Sequence, residues 1–145
     1  MSRLSRPRLG FTLMELVLVV ALASLVSAIG LAALHRHLDR LATHAAASEA
    51  ALALAHARTT ALAQHAAVAV HIDTTSGVMQ VVLRGERVAT HPLARRHGVR
   101  IRATRDSLAY DVRGLGVGAA NLSILIFRGA AVETVVVSRL GRIRH

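Results

Sequence analysis

The hydrophobic pattern of this chain changes character twice. Leu16 to Leu34 forms a run of 19 residues without a charge, and about 18 suffice for a membrane-spanning helix. From His35 to about His65 the chain is alanine-rich and holds no proline or glycine. Leu38, Leu41, Ala45, Ser48, Leu52, Ala55 and Leu62 recur there at three- or four-residue steps with one seven-residue gap. That is the spacing of one helix face. Asp39, Arg40, His44, Glu49, His56 and Arg58 fall mostly off the stripe, so the leucine-bearing stripe is the expected packing face. A single helix is therefore predicted from Phe11 to around His65, roughly 80 Å long at 1.5 Å per residue. Residues 11–34 form its apolar, membrane-spanning part and 35–65 its amphipathic continuation.

Beyond residue 66 the period becomes two. Val68, Val70 and Ile72 alternate with Ala69 and His71, and Thr74-Thr75-Ser76-Gly77 is a turn cluster before a strand at Val78–Leu83. Gly85-Glu86 marks a second turn. Val99, Ile101 and Ala103 alternate with Arg100, Arg102 and Thr104, and Leu108–Val112 is a further short strand. Gly114-Leu115-Gly116-Val117-Gly118 reads as a loop. Leu122–Phe127 and Glu133–Ser138 are strands joined by a hairpin at Arg128-Gly129-Ala130-Ala131. The fold class is α+β: one long helix packed on a small antiparallel sheet formed by residues 66–145.

Charge sharpens this division. The net charge of +10 is carried by arginine without lysine. Residues 1–10 hold three arginines and no acid, 11–83 hold three against four acids, and 84–145 hold twelve against four. Arginine before the apolar run predicts a single span with a cytoplasmic N-terminus and an exported remainder. A hydrophobic content of 53% excludes a disordered basic tail. Phe11, Tyr110 and Phe127 are the whole aromatic set, too few for a base-stacking platform. Cysteine is absent, which excludes disulfides and cysteine metal sites.

The start of the apolar run allows two kinds of processing. A secretory signal would be cut at a small-x-small site such as Ala21-Leu22-Ala23, which lies inside the run. The other reading rests on Gly10-Phe11-Thr12-Leu13-Met14-Glu15, where one carboxylate sits in an otherwise apolar helix. A carboxylate at membrane depth costs roughly 2.5–3.5 kcal/mol, less near a helix end, so Glu15 calls for a compensating partner. Ser24, Ser27, Ala28 and Gly30 are small enough to let helices approach closely in lipid.

Gly10, Phe11, Thr12, Leu13 and Glu15, followed by the apolar run, resemble the class III leader of the type IV pilin family. The resemblance implies a leader at 1–10, cleavage between Gly10 and Phe11 by a prepilin peptidase, and N-methylation of Phe11. It also implies a filament-core helix in which Glu15 pairs with the α-amino group of Phe11 on a neighbouring subunit. The C-terminal half resembles the FimT/GspH group of minor pilins and pseudopilins, through Ser48-Glu49-Ala50, Asp111-Val112-Arg113-Gly114 and the closing stretch Val135 to Arg144. Many relatives carry a cysteine pair in the sheet domain, which this chain lacks. Resemblance to this group implies a minor pseudopilin of a type II secretion system, with other pilins or pseudopilins, the peptidase and the inner membrane as partners. It equally permits a minor type IV pilin.

A DNA-capturing pilin is the functionally different alternative. Arg139, Arg142 and Arg144 carry it, because Gly141-Arg142-Ile143-Arg144 resembles a Gly-Arg-x-Arg ending of DNA-uptake pilins. In an extended tail Arg142 and Arg144 point the same way, and guanidinium groups grip phosphates bidentately. The bland reading is a charged edge strand that discourages pairing. Arg95, Arg96, Arg100, Arg102 and Arg105 either extend such a patch or keep the domain soluble. A third class is a signal-anchored periplasmic binding domain. The nine histidines show no His-x3-His pair on the helix, so no metal or cofactor is expected. The glycine loop at 114–118 is not followed by a helix, as a phosphate cradle requires. No catalytic set stands out, and no enzymatic activity is assigned.

Overall fold

The structure, a computed structural model, describes residues 12–117, 122–138 and 140–145. It contains two compact units, one ending at His35 and the other running from Arg36 to His145. Helix α1, Leu13–Gln64, supplies the regular structure among the described residues of the first and the opening element of the second. Thr12 caps it by accepting the Glu15 backbone N–H on Oγ1 at 3.2 Å, which satisfies one of the free amides of the first turn. At the other end His65 takes a left-handed backbone, φ 45°. Ala66 N–H returns to the Ala61 carbonyl at 3.3 Å, closing the helix as such residues do.

In the first unit α1 is apolar on every side and its side chains are exposed. The hydroxyls of Ser24 and Ser27 donate to the carbonyls of Val20 and Ala23, each at 2.7 Å. The apolar run therefore carries no unsatisfied serine O–H. This stretch is long and apolar enough to cross a membrane.

The second unit holds the hydrophobic core. After α1 come β1 (Val68–Asp73), β2 (Val78–Leu83), β3 (Glu86–Pro92), the one-turn helix α2 (Leu93–His97), β4 (Arg100–Ala103), β5 (Ser107–Tyr110), β6 (Gly116–Val117), β7 (Leu122–Arg128), β8 (Ala131–Val137) and β9 (Ile143–Arg144). Every strand pair is antiparallel. The expected one sheet is two: a five-stranded sheet in the order β3-β2-β1-β5-β6 and a four-stranded sheet in the order β4-β7-β8-β9. The predicted β1, β2, β4, β5, β7 and β8 all form. Strands β3 and β9 and helix α2 go beyond the sequence pattern, and part of the expected glycine loop is β6.

The packing face of α1 is the main correction. Its buried residues are Thr43, Ala46, Ala47, Ala50, Ala51, Ala53, Leu54, Ala57 and Ala61, whereas Leu38, Leu41, Leu52 and Leu62 are exposed. At 3.6 residues per turn the two sets lie on roughly opposite sides of the helix. Alanines face Val68, Val70, Met79, Leu93, Tyr110, Leu122, Ile124, Ile126, Val135 and Val137 in one core cluster. The strands supply the bulk and the helix supplies a small-residue surface against which they pack.

Candidate functional site

Polar side chains of α1 decide which face turns inward. Asp39 pairs with Arg128 Nε at 2.9 Å, and Arg128 Nη1 donates to the His97 carbonyl at 3.0 Å. Glu49 accepts from His97 Nε2 at 2.8 Å, contacts His91 Nδ1 at 3.2 Å, and also pairs with Arg96. Arg58 donates from Nε to the Gly114 carbonyl at 2.9 Å and from Nη1 to the Gly141 carbonyl at 3.3 Å. These anchors sit on the margins of the alanine face. A carboxylate or guanidinium seated among partners is stabilised only in one rotational setting of the helix, whereas an exposed leucine costs little.

Glu49 is more enclosed than Asp39, its side chain 16% exposed against 26%. Burial pushes its carboxyl upward, but hydrogen bonds from His97, His91 and Arg96 outweigh that and hold it below the ordinary value of 4.5. Tyr110 is wholly buried, and burial raises its phenol to about 12 in spite of nearby Arg58. Its hydroxyl has no hydrogen-bond partner among the described residues.

The sequence-predicted sites fall at the two ends. Gly10 and Phe11 lie outside the described residues, as does Arg139. Glu15 stands exposed in the first turn of α1, where a carboxylate is favoured by the helix dipole. Its carboxylate has no hydrogen-bonding or ionic partner among the described residues.

Arg144 belongs to a folded strand, and Arg142 lies just before it. Ser138 N–H donates to the Arg142 carbonyl and Gly141 N–H to the Ser138 carbonyl, both at 2.9 Å. β9 then pairs with β8, Val136 opposite Arg144 and Val137 opposite Ile143. Gly141 has φ 71°, and a Cβ there would come within 2.8 Å of the Gly114 carbonyl oxygen, so only glycine fits this close approach. Ile143 packs toward the core, while Arg142 and Arg144 are exposed beside Val136, Ser138 and Leu140. At the opposite edge of the same sheet, Arg100 and Arg102 of β4 are exposed and reach over the Phe127 ring, at 5.3 and 5.5 Å from its centroid.

No protein-family model matches the chain, and no curated protein sequence matches it. Solved structures do. The chain is similar to the type IV minor pilin FimU of Pseudomonas aeruginosa at 19% identity and a TM-score of 0.62, over 72% of this chain and 88% of that one. A second crystal form of FimU gives 17% and 0.58, over 70% and 90%. The minor pseudopilin EpsH from the type 2 secretion system of Vibrio cholerae gives 13% and 0.59, over 70% and 94%. The fold is type IV pilin-like. Within that pilin-like fold, spacing could not have revealed the Glu49 cluster, because its partners lie 42 to 48 residues away along the chain. The signal available was weaker: acids and arginines bordering an alanine face.

Proposed function

We propose that this chain is a minor pseudopilin of a type II secretion system. It would be inserted in the inner membrane with its N-terminus cytoplasmic, processed between Gly10 and Phe11, and built into the periplasmic pseudopilus through its apolar helix. The observation that carries the reading is a pilin-like domain on a 52-residue helix whose first half is exposed and apolar and opens on Glu15. The partners are other pilins or pseudopilins, and no cofactor or catalysis is assigned.

Mass spectrometry of the mature chain should find N-methyl-phenylalanine at residue 11, and an N-terminus beyond residue 23 would sink the reading. Glu15→Ala should block incorporation into filaments while cleavage continues. Deleting the gene in its host should stop secretion of exported enzymes. Loss of surface pili with secretion intact would assign the chain to a type IV pilus instead.

A second reading, a pilin that captures DNA, is favoured by one observation: Arg144, on the paired strand β9, and Arg142, just before it, are both exposed. A folded platform presents charge to a polyanion with less ordering cost than a loose tail.

A further inference from the structure

Strand β4 ends the four-stranded sheet, and among the described residues it pairs only with β7. Thr104 N–H donates to the carbonyl of Ser123 directly opposite, at 3.0 Å. That bond fixes the phase of the ladder, because residues that exchange backbone bonds alternate along an antiparallel pair. Arg100 and Arg102 therefore turn their backbone groups toward β7, and Ile101 and Ala103 turn theirs outward. The outward groups have no backbone partner among the described residues. Ile101 lines a cleft of about 260 Å³, across which stand Thr74, Thr75 and Gly77 of the β1–β2 turn and Ala94 of α2. Ala103 lines a second cleft that shares Thr74 with the first. The turn is fixed in place. Ala94 N–H donates to the Gly77 carbonyl at 3.1 Å, and the Asp73 carboxylate is occupied by the Thr75 and Ser76 amides and the Ser76 hydroxyl.

We infer that β4 binds an extended segment of a second protein by strand addition, and that the segment carries acid, apolar and acid side chains at three successive positions. A strand bonded to Ile101 and Ala103 would set its own residues opposite Arg100 and Arg102 in non-hydrogen-bonded pairs. Side chains of antiparallel neighbours come closest in such pairs, and opposite charges across them are favourable. Arg100 and Arg102 are exposed, and both guanidinium groups already rest over Phe127, at 5.3 and 5.5 Å from its centroid. Holding them there lowers the ordering cost of pairing with a carboxylate. No carboxylate among the described residues lines the first cleft; Asp106 lines the second and confines the acids to the arginine end. The residue between the acids would turn to the opposite face, where Val99, Ile101 and Ala94 line the cleft with apolar groups. The partner is not another copy of β4, since an antiparallel match would set arginine near arginine. Nor does any other part of this chain fit, because no two of its eight acids are two positions apart. The inference is independent of DNA capture and holds for a pseudopilin or a pilin alike.

The test is fluorescence anisotropy of a labelled eight-residue peptide, Glu-Val-Glu-Val with Ser-Gly on either side, added to the full chain in a non-ionic detergent. Three peptides serve as controls: the order Glu-Glu-Val-Val, the first peptide N-methylated on both valine nitrogens, and one with glutamine for glutamate. The alternating peptide should bind, and it should slow hydrogen exchange at the Ile101 and Ala103 amides. Each control peptide should bind about tenfold more weakly or not at all. Arg100→Gln with Arg102→Gln should also weaken binding about tenfold, while Arg84→Gln with Arg87→Gln, on the other sheet, should leave it unchanged. Circular dichroism checks the folding of both variants, and the glutamine peptide makes the same charge test on the unaltered protein. Equal binding of the N-methylated peptide overturns strand addition, and an equal loss in the Arg84 and Arg87 variant overturns the assignment to β4. No binding of the alternating peptide overturns the inference and leaves the arginines as charges that blunt a bare edge. Binding of a labelled random-sequence duplex through Arg100 and Arg102, with none of the peptide, overturns it in favour of a polyanion.

Discussion

The two parts of α1 are built from similar residues and reach opposite outcomes. Up to His35 the helix is greasy all round, and among the described residues no side of it is distinguished by a polar partner from elsewhere in the chain. From Arg36 onward it has a small buried face and a leucine face left outside. The difference teaches that apolar residues alone do not select a packing face. Asp39 and Glu49, tied to strands and to α2, and Arg58, tied to the loops at Gly114 and Gly141, set the rotation, and alanine lets the sheets come close. The residues left outward, Leu38, Leu41, Leu52 and Leu62, continue the apolar character of the first part without contributing to the domain core.

The sharpest way to break this contrast uses two leucines two residues apart. Leu54 is fully buried and Leu52 is 69% exposed. Leu54→Ala should cost about 2–5 kcal/mol in thermal or urea unfolding. Next, Ala50→Leu should cost about 1–3 kcal/mol, because a side chain is forced into a filled layer. Arg58→Ala should cost about 1.5–3 kcal/mol by stranding the Gly114 and Gly141 carbonyls, and it should loosen β9 in hydrogen exchange.

A smaller effect comes from Glu49. Its carboxyl lies below the ordinary value in the folded state. The stabilisation is therefore fully present above about pH 4.5 and is lost as the pH falls through the lowered folded value. Glu49→Gln should flatten that acid-side loss in pH-dependent melts; an unchanged profile would show that Glu49 does not set the helix rotation. Smallest of all, Leu52→Ala should stay within about 0.5 kcal/mol. A cost near that of Leu54→Ala would restore the leucine face as the core.

Much of the architecture is legible in the sequence because its signals are local. Val68, Val70 and Ile72 alternate, Leu122 to Phe127 is strongly strand-forming, and α1 runs without a proline until His65. The failures have physical causes. β3 carries Glu86 and Arg87 and lies at a sheet edge, so no clean alternation marks it. α2 is five residues long after Pro92, below the length at which helical periodicity shows. β9 is two residues. The helix face comes out inverted because a leucine stripe outranks an alanine stripe on hydrophobicity, while the choice is made by ion pairs from residues far along the chain. Of the site residues, Arg142 and Arg144 have the shared direction that their spacing predicts. Their place in the same sheet as Arg100 and Arg102 depends on β7 and β8 lying between the two edges, which no sequence spacing contains.

Strand β9 also serves as a stopper. It covers the Val136–Val137 end of β8, and Arg58 holds the turn before it. A chain truncated before Gly141 would lose Arg142 and Arg144 and, in the same cut, bare backbone donors and acceptors on a valine-rich strand that invites pairing with another molecule. Self-association of such a truncation would report an uncovered edge and say nothing of the missing arginines, so the charge and the closure must be separated by point substitutions.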